Sequence, residues 1–140
     1  MAKRREYNAP LTFASIVVIA VFAFVMVILF SSITVTQSEE DFTVKCLYHT
    51  EVIAYDDVKS IELDYNYTSK RVFSLGGISK ALGWYQNEEL GKHYRISYEE
   101  NKHNHIIVTK QDGSVVVFNM KTEPATAELY EKLREKIPTA

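Results

Sequence analysis

The hydrophobic rhythm of the chain changes twice. From Tyr7 to Ser38 no side chain is charged, and the centre of this 32-residue window, Leu11 to Ile33, is almost wholly aliphatic or aromatic. A helix rises about 1.5 Å per residue, so roughly 20 residues cross a hydrocarbon core about 30 Å thick. Residues 11–36 therefore read as a transmembrane helix behind a basic segment at residues 1–10. A cleaved signal peptide shares the basic start, but its apolar core usually runs only about 7–15 residues, so an uncleaved anchor fits better. A soluble buried helix would need apolar partners on every face, more than the rest of the chain supplies.

Beyond the span the rhythm becomes short and alternating, the pattern of half-buried strands. Strands are expected at 42–48, 51–55, 59–67, 70–75, 93–98, 106–109 and 115–118. The third should place Ile61, Leu63, Tyr65 and Tyr67 on one face. In the fifth, Tyr94, Ile96 and Tyr98 should oppose Arg95. Asp112-Gly113 marks a hairpin turn between the last two strands. The polar run 99–104 reads as a solvated loop.

The ending switches to helical period. Thr122 and Pro124 form an entry, Leu129, Leu133 and Ile137 a narrow apolar stripe, and Pro138 a stop.

Charge narrows the class of partner. Setting aside Lys3, Arg4, Arg5 and Glu6 leaves 13 basic and 17 acidic residues, a net charge of −4. That balance argues against nucleic acid, whose phosphates need a basic patch. Three cations precede the span and only Lys45 closely follows it, so the positive-inside rule places the N-terminus in the cytoplasm and the domain outside.

Chemistry is sparse. Cys46 is the sole cysteine and reads as a small buried residue. His103 and His105 have i, i+2 spacing, and with His93 or Glu99 a metal site is conceivable, but a solvated hairpin tip is the better reading. The carboxylate pairs Glu39-Glu40, Asp56-Asp57, Glu88-Glu89 and Glu99-Glu100 are adjacent residues, which point to opposite faces of a strand and form no dyad. No catalytic residue, metal or cofactor is expected.

Seven short strands followed by one amphipathic helix resemble a pleckstrin-homology-like (PH-like) barrel. The stretches 53–63, Gly83-Trp84-Tyr85 with Gly91, and 115–119 are similar to the bacterial PH-like family, whose members often carry membrane spans; the resemblance covers about residues 42–137. It implies a barrel capped by the C-terminal helix and an interaction or oligomerisation role. Phosphoinositide binding does not carry over, because Lys45, His49 and Glu51 make no cradle for an anionic headgroup.

The expectation is a non-enzymatic module, anchored by one span, for protein interaction or assembly at the cell envelope, homo-oligomers included. The alternative is a lipid- or small-ligand-sensing domain using the glycine-rich stretch 75–85. That stretch holds the sole tryptophan and has two readings. Either it is a barrel loop whose Trp84 and Tyr85 enter the core, or Gly76, Gly77, Ile78, Lys80, Leu82 and Trp84 form a mobile contact loop.

Overall fold

A computed structural model describes residues 9–76 and 79–138, which divide into two compact units meeting at Phe30/Ser31. The first holds helix α1, Ala9–Phe30. Its 22 residues extend about 33 Å, and Thr12–Phe30 is long and apolar enough to cross a membrane. By length and composition alone, an anchor and a signal sequence both fit it. Phe13, Val18, Ile19, Phe22 and Phe30 are all exposed, so the apolar surface runs around the helix.

Helix α1 is shorter than the uncharged window. Residues 31–36 are not helical, and Thr34–Gln37 forms strand β1, paired antiparallel with β2, Asp41–Cys46. Hydropathy cannot separate the end of a span from a buried strand that follows it. Alternation can, since Ile33 and Val35 point inward between exposed Ser32, Thr34 and Thr36. The Ile33 N–H donates to the Tyr98 hydroxyl at 2.9 Å.

The second unit contains nine strands in two sheets and a C-terminal helix. The remaining strands are β3 (His49–Ala54), β4 (Val58–Asp64), β5 (Lys70–Gly76), β6 (Lys80–Asn87), β7 (Gly91–Tyr98), β8 (His105–Lys110) and β9 (Val115–Phe118). One sheet runs β1-β2-β3 and the other β4-β8-β9-β7-β6-β5, antiparallel except for β7 beside β9. The two strands beyond the expected seven are β1 and β6, which replace the end of the span and the glycine-rich loop. The hairpin at Asp112-Gly113 forms as expected, with Gly113 at positive φ.

Strands β4 and β5 are opposite edges of the six-stranded sheet, yet only residues 65–69 join them. A flat six-stranded sheet would separate its edges by about 24 Å, and so short a link reaches at most about 21 Å. The sheet therefore curls, and each of its faces carries buried residues. One face sends Leu82, Ile96, Ile106, Val108, Val116 and Phe118 into the main core. Phe42, Val44 and Ile53 of the small sheet meet them there, with Leu129 and Leu133 of helix α2, Glu123–Lys136. The other face buries Ala81, His93, Ser97, His105 and Val117.

Gly83 permits the curl. It sits within β6 at φ 149°, and a Cβ there would lie 2.4 Å from the Phe73 carbonyl oxygen. Beside it, β5 bulges between Arg71 and Phe73.

Helix α2 starts at Thr122, whose hydroxyl accepts from the Ala125 N–H at 3.3 Å. The run 99–104 that joins β7 to β8 is not a solvated loop throughout, for Asn101 and Asn104 are buried. The Asn101 amide donates to Asn104 Oδ1 (2.9 Å), Thr126 Oγ1 (3.1 Å) and the Met120 carbonyl (3.2 Å). Asn119 Oδ1 accepts from the Tyr98 N–H at 2.7 Å, and its amide donates to the Asn101 carbonyl at 2.9 Å. These amides replace regular pairing where β7, β9 and α2 converge.

Candidate interaction surface

Strand β6 disperses the residues singled out between 75 and 85. Gly76 ends β5, whereas Gly77 and Ile78 lie outside the described residues. Leu82 is fully buried in the main core. Lys80 is also buried; its ammonium donates to Ser79 Oγ at 3.2 Å and lies 5.6 Å from the centre of the Tyr98 ring. Trp84 stays 42% exposed, so only Tyr85 of the Trp84-Tyr85 pair enters the interior.

Instead of loop neighbours, Trp84 has a cross-strand partner. Phe73 on β5 stands opposite it and is 76% exposed, the most of any large apolar side chain described outside α1. Trp84 packs edge-on against Tyr94 at 5.2 Å, and the Lys92 ammonium sits 5.1 Å from the indole. Tyr94 stacks on His49 at 3.9 Å, and His49 pairs with Glu51 at 3.0 Å. Burial, with Tyr48 beside it, pushes the Tyr94 hydroxyl well above the ordinary phenol range. An aromatic row thus runs from the small sheet across β7 and β6 and ends at Phe73 on an open edge. Only Trp84 of this row figured among the sequence candidates, since its pairing with Phe73 depends on the register of β5 on β6.

The face of the curled sheet opposite the main core holds a polar cluster. Tyr67, which leaves β4 instead of continuing its alternation, points inward and donates its hydroxyl proton to His93 Nε2. That direction is fixed because His93 Nδ1 donates to the Gly91 carbonyl at 2.8 Å. Arg95 lies between the rings of Tyr67 (5.3 Å) and Tyr85 (5.0 Å), and its Nε donates to Ser97 Oγ at 2.6 Å. His105 packs 4.7 Å from the Tyr67 ring, and neither of its nitrogens has a hydrogen-bond partner among the described residues.

Burial, and then the Arg95 charge, lowers the His105 pKa to about 3. Burial likewise lowers His93, although its bond to Gly91 acts in the opposite direction. Both imidazoles are therefore neutral at physiological pH.

Tyr67 also lies in the wall of a cleft of about 650 Å³, with Asp64 and Ser69. His103 is exposed while His105 is buried, so the i, i+2 pair does not converge. Among the described residues no group of three His, Cys, Asp or Glu is placed to hold a metal ion. Cys46 is buried, and burial raises its thiol pKa, which leaves it an inert packing residue.

No protein-family model, curated protein or solved structure matches the chain.

Proposed function

We propose that this chain is a membrane-anchored, PH-like module without catalytic activity, which works by binding another protein at the cell envelope. Helix α1 serves as the anchor, with the N-terminus cytoplasmic and the β domain outside. The barrel assignment rests on the curled sheet and the helix packed against its core. The observation that carries the functional reading is the exposed Phe73–Trp84 pair on the free edge of β5. Exposed aromatic residues dominate binding surfaces, and an open edge offers unpaired N–H and C=O groups to an extended partner. The lipid- or ligand-sensing alternative loses Lys80 and Leu82 as contacts, because both are buried.

Phe73→Asp tests the reading. The full-length chain, solubilised in mild detergent, should lose its co-purifying protein while keeping its melting temperature, since Phe73 supports little of the core. A variant that melts normally and retains every partner would rule this surface out.

A further inference from the structure

We infer that the protein on the β5 edge is a second copy of this chain, paired strand to strand about a two-fold axis at Phe73; this rests on the interaction reading above. The four sheet edges differ in what they offer. Strand β1 is four residues of Thr, Val and Gln, and β3 exposes Val52 beside polar Thr50. Strand β4 exposes Lys59, Ser60 and Glu62 next to a bulge. Charges and bulges of this kind blunt an edge against pairing. In β5 they are confined to the first half, Lys70, Arg71 and the bulge before Phe73; from Phe73 onward the edge has no such guard.

Symmetry selects the copy. Antiparallel strands related by a two-fold axis normal to the sheet keep equivalent faces on the same side, so Phe73 falls opposite Phe73 of the second chain. The established Phe73–Trp84 pairing then extends into a row of four rings, Trp84–Phe73–Phe73–Trp84, across the junction. Lys70 and Arg71 of each copy lie toward the Leu75–Gly76 end of the other, so like charges do not meet. The pairing is isologous and closes at two copies, whereas β5 on β4 would be heterologous and give a ring or an open filament. With both copies held in one membrane plane, a short strand interface is enough.

Cross-linking of the full-length chain in membranes tests this. Opposed residues in such a pair have Cα atoms about 4.5–5.5 Å apart, within disulfide range. Phe73→Cys should therefore give disulfide-linked dimer at least about tenfold above Lys59→Cys on the β4 edge, given the high effective concentration within a preformed pair. Native Cys46 is buried and will not contribute. Equal, low cross-linking at both positions overturns the proposal.

A second measurement needs no substitution, because Trp84 is the sole tryptophan. In nanodiscs loaded at two chains or more, its emission should ignore brominated phospholipid. Strong quenching by brominated lipid would assign the surface to the bilayer and overturn self-pairing. If Phe73→Asp loses a partner while the native chain is monomeric, self-pairing fails and the interaction reading stands. If the native chain is monomeric and Phe73→Asp loses nothing, both fail.

Discussion

His105 shows what a single buried polar group costs. Each unpaired nitrogen sacrifices hydrogen bonds to water, worth about 1–3 kcal/mol per buried group. His105→Leu should therefore stabilise the domain by about 1–3 kcal/mol in chemical denaturation; a destabilised variant would mean that the imidazole has a partner after all. The pH dependence follows from the same burial. The folded pKa, about 3, lies below the ordinary 6.5, so the unfolded chain binds the proton first as pH falls. Stability is complete above about pH 6.5 and declines toward pH 3, by at most about 4–5 kcal/mol from this group, with His93 contributing in the same direction. Melting curves between pH 7 and 4 should show that decline, and His105→Leu should flatten it. Gly83 is the opposite case, a residue defined by what it lacks. Gly83→Ala would drive a methyl into the β5 backbone at positive φ and should cost about 3 kcal/mol or more. A melting temperature within a degree or two of the native value would show that β5 can move aside.

Among the elements, those with an unbroken period were legible from the chain. Helix α2 was readable because Thr122, Leu129, Leu133 and Pro138 supply a cap, a stripe and a stop. The β8–β9 hairpin was readable because Asp112-Gly113 separates two apolar runs. What escaped were positions where one residue type serves two purposes. Gly83 looks like a turn signal yet permits close approach of two strands. The Ile33–Val35 segment is as apolar as the span before it. Tyr67 continues the alternation of β4 on paper, but the chain turns after Asp64 and sends it to the other face. Asn101 and Asn104 look like loop residues and are instead an internal scaffold, because the groups they tie in, Met120, Glu123 and Thr126, lie 19 to 25 residues away. For the surface, the sequence drew attention to Trp84 but could not supply Phe73, since their pairing needs the register of β5 on β6. The amide scaffold gives a prediction at this scale. Asn119→Leu leaves the Tyr98 N–H and the Asn101 carbonyl unpaired and should cost at least about 2 kcal/mol. Hydrogen exchange should locate the loss at the end of β7 and in α2; exchange unchanged there would mean that the amides are incidental.

At the scale of the whole molecule, the proposed reading gives α1 the task of location and the β domain that of contact. Only Ser31–Ile33 separates α1 from β1, so an anchor in α1 would hold the domain at the membrane surface. An alkaline phosphatase fusion at Ala140 should be active if the domain faces outward, and a well-expressed but inactive fusion would reverse the orientation. The account as a whole depends on Phe73 meeting protein in the native membrane. The most direct measurement replaces Phe73 with photoreactive benzoylphenylalanine in the full-length chain and irradiates intact membranes. The account predicts a discrete protein adduct from position 73 and none from exposed Tyr65. Identical patterns at the two positions, or adducts with lipid alone, would contradict it.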